Sequence, residues 1–155
     1  MNLDKTEMDI LRILQTDGRI SNVDLAERIG LSESPCFRRT RQLEDNGVIT
    51  GYSVCLDQRQ LGLQVTAFVQ VSLAKQDELA TRQFIKSVEQ EEHIVECHAM
   101  SGAYDYLLKV VTRSMDHFSE LTMQRILKFP GVQDIESHFS LQEIKLSRSL
   151  PLGAC

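Results

Sequence analysis

The chain has 155 residues, a net charge of −5 and few glycines and prolines, which fits one ordinary globular domain or two small ones. No run of about 18 apolar residues is present, and the first ten residues lack the features of a signal peptide, so we expect a cytoplasmic protein without a membrane partner. The acidic balance disfavours a protein that coats nucleic acid, although a site-specific binder needs only one basic face. The scattered cysteines, which show no CxxC spacing, indicate reduced thiols.

Three short helices are predicted between residues 1 and 47. Each begins after a residue whose side chain can cap a helix N-terminus. These caps are Asp4, Ser21 and Ser32. Gly30 is placed to end the second helix, and only a few residues around it separate the second helix from the third. The spacing therefore predicts a helix-turn-helix at about residues 22–41.

A wing is predicted to follow the third helix. Residues 48–57 have the pattern of two short β segments interrupted at Gly51, which predicts a winged helix-turn-helix domain over residues 1–57. Residues 58–63, which include Gly62, are predicted to be a linker to the second half of the chain.

Residues 64–155 are predicted to form a second domain. Strand-like and amphipathic helical segments alternate there in the order β-α-β-β-α-β, which is typical of a ferredoxin-like fold. The predicted fold class is therefore α+β, with an N-terminal winged helix-turn-helix joined to a C-terminal ferredoxin-like βαββαβ domain. Its helices are expected on one face of a four-stranded sheet, and a second copy of the chain is the simplest cover for the other face.

The third helix has two different sides on a helical wheel. Cys36, Thr40 and Leu43 fall on one side. The opposite side, flanked by Arg39, carries Ser34, Arg38, Arg41, Gln42 and Asp45. Arginine and glutamine can pair with base edges and serine with phosphate, whereas an ordinary solvated face can carry the same residues. The tight turn before this helix, and the acids toward its far end, favour double-stranded DNA as the partner.

Three segments of the chain, in the same order, resemble parts of one known family. Residues 3–52, with the runs SESPCFRR and LEDNGVI, resemble its winged helix-turn-helix, HAMSGAYDYLLKV its effector loop, and FSLQEIKLSRSLPL its C-terminal signature. This is the leucine-responsive/AsnC (Lrp/AsnC) family of prokaryotic transcriptional regulators. The resemblance implies a sequence-specific, nucleoid-associated regulator that is not an enzyme and needs no cofactor. It also implies a homodimer that assembles into octamers of four dimers and senses a free amino acid, with leucine or methionine as the leading candidates.

The resemblance also implies which residues contact DNA. By position these are Ser32, Ser34, Pro35, Arg38, Arg39 and Arg41, and the wheel adds Gln42. We expect Arg38 and Arg41 to contact bases, and we expect Ser32, Ser34 and Arg39 to position the DNA backbone.

Residues 101–106 form the loop that resembles the family's effector signature. From the residues alone, a hairpin turn with Gly102 at a positive φ and a locally hydrogen-bonded Asp105 is favoured over a site in which Asp105 holds an ammonium group. The resemblance reverses this preference. It implies an effector site of Gly102, Tyr104, Asp105 and Tyr106, with Asp134 and Ser137 of a neighbouring copy close by.

Metal binding and catalysis have little support. In a strand, His93 and Cys97 lie roughly 13 Å apart, too far for one zinc ion, and His98 points to the other face. There is no Gly-rich phosphate loop and no nucleophile motif. The remaining alternative is a metabolite-sensing or protein-interaction module that does not bind DNA, and a mobility-shift assay would separate it from a regulator.

Overall fold

A computed structural model describes residues 3–74, 78–147 and 149–153. Two compact units divide the chain: one contains the residues up to 55 together with the segment from 144 onward, and the other contains residues 56–143. None of the helices in the described ranges is long and apolar enough to cross a membrane.

Three helices form the first unit, as the sequence predicts. They are α1 (Lys5–Thr16), α2 (Asn22–Ile29) and α3 (Glu33–Asp45). One apolar cluster holds them together, and its buried members are Ile10, Leu11, Leu25, Ala26, Cys36 and Leu43. Gly30 ends α2 with φ at 69°, a left-handed conformation that a residue with a Cβ rarely adopts. The predicted helix-turn-helix is therefore present.

The predicted wing strands are absent from the structure. No strand is assigned between α3 and residue 65, a stretch that lies wholly within the described residues. A strand needs a neighbour to complete its backbone ladder, and residues 48–57 have no such neighbour among the residues that the structure describes. Tyr52, Val54 and Leu56 are consequently more than half exposed.

The C-terminal segment belongs to the first unit, whereas the sequence suggested that the second domain runs to residue 155. Leu150 exchanges two hydrogen bonds with the side chain of Gln15, at 2.6 and 3.3 Å. The carbonyl of Gly153 accepts a hydrogen bond from Arg12 at 2.9 Å, and Leu152 packs against the apolar cluster of this unit. These contacts join residues that are far apart in sequence, so local patterns do not reveal them.

The second unit has the predicted β-α-β-β-α-β order. Its elements are β1 (Val65–Leu73), α4 (Glu78–Gln90), β2 (Ile94–Ala99), β3 (Tyr106–Thr112), α5 (Met115–Gln124) and β4 (Val132–Phe139), with a 3₁₀ turn at Ile126–Lys128. The four strands pair antiparallel in the order β2-β3-β1-β4. The fold class is therefore α+β with a ferredoxin-like second unit, as predicted.

The sheet buries one face against its helices and leaves the other open. Ala67, Val69 and Val71 of β1 are fully buried and pack with Phe84 of α4 and Phe118 of α5. Because strand side chains alternate, the intervening residues of β1 point to the opposite face. Phe68 on that face remains 37% exposed. We call this second surface, centred on β1, the open sheet face.

The second predicted helix of this unit is shorter than expected. The sequence pattern continued to about residue 129, but α5 ends at Gln124 and Arg125 leaves the helical conformation with φ −122° and ψ −64°. The following 3₁₀ turn places Ile126 in the core, where it is fully buried. The spacing of apolar residues alone does not distinguish an α-helical turn from a 3₁₀ turn.

One buried carboxylate connects α4, β2 and α5. Glu91 is 2% exposed, and its Oε1 lies 3.0 Å from His93 Nδ1 and accepts a 3.3 Å hydrogen bond from the His93 backbone N–H. Its Oε2 lies 2.8 Å from Arg125 Nη1 in an ion pair. Oε2 accepts no hydrogen bond from any described residue, so the ion pair and the two contacts with His93 offset only part of the cost of burying this charge.

Replacing Glu91 with alanine is expected to lower the free energy of unfolding by about 2–3 kcal/mol, because it removes a buried charge-assisted network and leaves its donors unpaired. Urea unfolding measures the change. Glu89→Ala, at an exposed position of α4, is the matched control and should change the free energy by less than about 0.5 kcal/mol. Equal effects of the two variants would contradict a special role for Glu91.

Candidate nucleic-acid interface and effector pocket

The outward face of α3 is fixed by contacts on both sides of the turn before it. The Leu31 N–H donates to the Ala26 carbonyl at 2.9 Å, and the Asn22 side chain donates to the Glu33 carbonyl at 3.0 Å. Cys36 and Leu43 on the inner side of α3 are fully buried. Burial also raises the pKa of the Cys36 thiol, so Cys36 is a core residue rather than a reactive one.

The N-terminal end of α3 presents polar groups to solvent. Ser32 is the N-cap but makes no side-chain capping hydrogen bond, unlike Ser21, whose hydroxyl accepts from the Asp24 N–H at 3.1 Å. Ser32 and Ser34 are both exposed, whereas Pro35 is half-buried. The first N–H groups of a helix have no intrahelical partner, so this end suits a phosphate group.

The three arginines of α3 have different surroundings. Arg38 is exposed and makes no ion pair with any residue that the structure describes. Arg41 Nη1 lies 3.0 Å from Glu44 Oε2. Arg39 instead reaches back to α1, where it pairs with Asp4 and lies 3.7 Å from Glu7. Of the three arginines, Arg38 and Arg41 therefore project from the outward face, where Gln42 is also exposed.

Arg39 is tied to the N-terminus of α1. Asp4 and Glu7 form a capping box there, with reciprocal hydrogen bonds of 2.8 and 2.9 Å. The Glu7 backbone N–H and then the Arg39 guanidinium lower the pKa of Asp4. These contacts engage one side of the Arg39 guanidinium. The N–H groups on its other sides remain available for a phosphate.

Phe37 is an outward-facing residue that the sequence interpretation missed. Its side chain is 55% exposed, and the Arg41 guanidinium carbon lies 6.0 Å from its ring centroid. The sequence feature that could have revealed it is the spacing of four residues between Phe37 and Arg41, which places their side chains next to each other on a helix. An exposed aromatic ring next to an arginine can contact a thymine methyl group in the major groove.

The predicted effector loop is pinned to the end of β1 by Asp105. Its Oδ2 accepts from the Leu73 N–H at 2.7 Å, and its own N–H donates to the Val71 carbonyl at 3.0 Å. The Met100 N–H donates to the Asp105 carbonyl at 2.8 Å. Gly102 has φ at 143°. The Asp105 side chain therefore binds the backbone of β1, 32 residues away, rather than a neighbour within its own loop.

A polar pocket of about 200 Å³ lies beside this loop on the open sheet face. Its lining residues are Gln70, Ser72, Ala103, Tyr104, Asp134, Ile135 and Glu136. Two carboxylates can accept an ammonium group, while the Gln70 amide and the Ser72 hydroxyl can donate to a carboxylate. These groups match the ammonium and the carboxylate of a free amino acid.

The structure brings some of the predicted effector residues together and separates others. Tyr104 and Asp134 both line the pocket. Tyr106 instead packs its ring 4.8 Å from that of Phe84 in the core. Ser137 pairs with the buried Val69 in the sheet, so its side chain lies on the helix-covered face, opposite to Asp134. Within one chain, Gly102, Asp105, Tyr106 and Ser137 do not line the pocket.

The histidines rejected as metal ligands lie in different environments. The His93 ring contacts the His117 ring, with centroids 4.6 Å apart, and pairs with Glu91. His98 lies 3.4 Å from Glu96 instead. Among the described residues no group of three or more histidine, cysteine or acidic side chains is placed to hold a metal ion.

Comparisons with known proteins cover nearly the whole chain. A winged helix-turn-helix DNA-binding model matches residues 3–50, and the Lrp/AsnC ligand binding domain matches residues 66–150. The leucine-responsive regulatory proteins of Klebsiella pneumoniae and Escherichia coli K12 are each 40% identical over 149 residues, which is 96% of this chain and 91% of each relative. A transcriptional regulator from Neisseria meningitidis, solved in complex with L-methionine, is 42% identical, with a TM-score of 0.94 over 97% of both chains. An AsnC family regulator from Agrobacterium tumefaciens is 35% identical, with a TM-score of 0.91 over 97% of both chains.

The fold, the outward face of α3 and these matches define a DNA-binding transcription regulator with a ligand-binding domain. The chain belongs to the Lrp/AsnC family. Its relatives are transcriptional regulators and not enzymes, which confirms that part of the sequence prediction. Family membership also removes the alternative of a module that does not bind DNA.

Proposed function

We propose that the outward face of α3 reads a specific DNA sequence in the major groove, at the nucleoid in the cytoplasm. The observation that carries this proposal is the projection of Arg38 and Arg41 from a helix whose other side is buried. Arginine can bind the O6 and N7 atoms of guanine with two parallel hydrogen bonds. Both side chains are assigned to bases, and Gln42 lies beside them on the same face.

Backbone contacts are assigned to the N-terminal end of α3. Ser32 and Ser34 are exposed there. Pro35 lacks a backbone N–H, but this costs no hydrogen bond because the N–H groups of the first helical turn have no intrahelical acceptor. Arg39 is assigned to a phosphate because its link to Asp4 and Glu7 holds it at the flank of the helix. Phosphate contacts fix the register in which the arginines meet the bases.

We also propose that a free amino acid, with methionine ahead of leucine, binds the pocket of Tyr104 and Asp134. Its polar lining supports this proposal, and so does the Neisseria meningitidis relative solved with L-methionine. Asp134 and Glu136 are assigned to the ammonium group. Gly102, Asp105 and Tyr106 hold the loop in place around the pocket, whereas Ser137, whose side chain lies on the helix-covered face, is assigned no contact with the ligand.

The homodimer is proposed to form through the open sheet face, and four dimers to form an octamer. Phe68 supports this, since a large apolar side chain that is 37% exposed in a central strand suits a partner surface. Light scattering of the intact chain tests the assembly. A mass equal to one copy at micromolar concentration would contradict it.

Methionine at ten times its dissociation constant is expected to raise the melting temperature by about 3–5 °C. A ligand that binds only the folded state raises the free energy of unfolding by about 1.4 kcal/mol at this concentration. In Asp134→Asn this shift should fall to less than half, since one acceptor for the ammonium group becomes neutral. Thermal unfolding with increasing methionine and leucine measures both values.

Glu120→Asn, at an exposed position of α5, is the control and should keep the full shift. If no amino acid at millimolar concentration changes the melting temperature, the assembly state or the affinity for DNA, the sensing proposal fails. If methionine acts equally on wild type and Asp134→Asn, the ligand binds elsewhere.

A further inference from the structure

One carboxylate beside the outward face of α3 holds two different side chains. Glu44 Oε2 lies 3.0 Å from Arg41 Nη1, while Glu44 Oε1 accepts a 3.0 Å hydrogen bond from the Tyr52 hydroxyl. The Glu44 side chain is 26% exposed and that of Arg41 is 62% exposed. The three residues form a chain of contacts that leads from the segment after α3 to an arginine on its outward face.

The Tyr52 ring lies near the turn after α1. A Cβ built on Gly18, in the turn after α1, would lie only 3.5 Å from Tyr52 Cδ1. Burial and then the hydrogen bond to Glu44 raise the pKa of the Tyr52 hydroxyl, so it stays a donor at neutral pH. Arg41, Glu44 and Tyr52 form one wall of an open groove of about 310 Å³ whose lining also includes Leu14, Gly18 and Ile20.

We propose that Glu44 and Tyr52 are positioning residues that set the DNA specificity of Arg41, an inference that rests on the proposed base-reading role of Arg41. Tyr52 fixes one oxygen of the Glu44 carboxylate, and the other oxygen fixes one corner of the Arg41 guanidinium. The Phe37 ring, 6.0 Å from the guanidinium carbon, borders it on a second side. The remaining N–H donors of Arg41 then point outward in one plane.

The physical basis is the pre-organisation of a flexible side chain. A free arginine loses rotamer entropy when it forms two parallel hydrogen bonds to one base, and a held guanidinium has already lost much of it. A held guanidinium also discriminates better, because bases that do not match its fixed plane meet unpaired donors. An exposed ion pair within one helix turn contributes little stability, so the effect of this chain of contacts is expected in recognition.

Tyr52→Phe tests the inference because it removes one hydroxyl from a half-exposed ring and leaves Glu44 and Arg41 in place. The probe is a duplex selected by the wild-type chain from a random pool, with a scrambled duplex of equal length for comparison. We expect the affinity for the selected duplex to fall about fivefold to tenfold. Affinity for the scrambled duplex and the dependence on salt should stay unchanged, since no phosphate contact is removed.

A double-mutant cycle with Arg41→Ala separates positioning from a local structural effect. In the Arg41→Ala background, Tyr52→Phe should no longer change the affinity for the selected duplex, because its effect passes through Arg41. Glu44→Gln, which weakens the hold on both partners, should reproduce the loss seen with Tyr52→Phe. Circular dichroism and melting temperature confirm that each variant is folded.

The binding results distinguish the positioning of Arg41 from its base-reading role. If Arg41→Ala loses affinity but Tyr52→Phe and Glu44→Gln bind like the wild type, Arg41 reads DNA without positioning and the inference is overturned alone. If Arg41→Ala itself binds like the wild type, the base-reading role of Arg41 fails as well. Tighter binding by Glu44→Gln and Tyr52→Phe would mean that Glu44 restrains Arg41 from DNA, which also overturns the inference.

Discussion

Replacing Arg38 and Arg41 together with alanine is expected to weaken binding to the selected duplex at least about 30-fold. Each well-placed arginine–base contact contributes about 1–3 kcal/mol of discrimination, and two such contacts add when they read separate bases. Affinity for a scrambled duplex should fall much less, because only two positive charges near the DNA are lost. The helices should remain intact, since both side chains are exposed.

Mobility-shift titrations at one fixed salt concentration measure this change. Arg82→Ala/Arg113→Ala is the matched control, because it removes the same charge from exposed positions of the second unit. Circular dichroism confirms equal helix content. A double variant at Arg38 and Arg41 that binds the selected duplex as tightly as the wild type would show that another surface reads the DNA.

Replacing Phe84 with alanine is expected to lower the free energy of unfolding of the second unit by about 3–5 kcal/mol. Phe84 is fully buried, and its ring lies 4.8 Å from that of Tyr106 and 6.3 Å from that of Phe129. Removing it leaves a cavity between α4 and the sheet, and the loop that ends at Tyr106 loses its support. The methionine-dependent rise in melting temperature should therefore shrink as well.

Urea unfolding followed by tyrosine fluorescence suits this measurement, since the chain has three tyrosines and no tryptophan. Tyr104 and Tyr106 report on the second unit. Ile85→Ala is the control, because Ile85 is the next residue on α4 and is 41% exposed; it should lose less than about 1 kcal/mol. Equal losses at Phe84 and Ile85 would contradict the described core.

The elements that depend on local chemistry could be predicted from the sequence. Asp4 and Ser21 cap their helices, and Gly30 ends α2 in a left-handed conformation, as their residue types indicated. The first strand-like segment of the second domain forms β1. In each case a few neighbouring residues determine the outcome, so spacing was sufficient.

Features that depend on distant partners could not be predicted in the same way. Residues 48–57 have strand-like composition but no ladder partner in the described part of the chain, so they remain irregular. The segment after residue 144 joins the first unit through Gln15 and Arg12, about 135 residues away. The contacts of Arg41 with Glu44 and Phe37 also depend on side-chain conformation, which a helical wheel does not give.

Changing one arginine on the outward face of α3 tests the central claim most directly. Binding-site selection from a random duplex pool, run in parallel with the wild-type chain and with Arg38→Gln, measures which bases each protein prefers. Arginine pairs with guanine and glutamine with adenine. We predict that one base position of each half-site changes from guanine to adenine while the rest of the motif is retained. Identical motifs for the two proteins would contradict the reading of bases by this face.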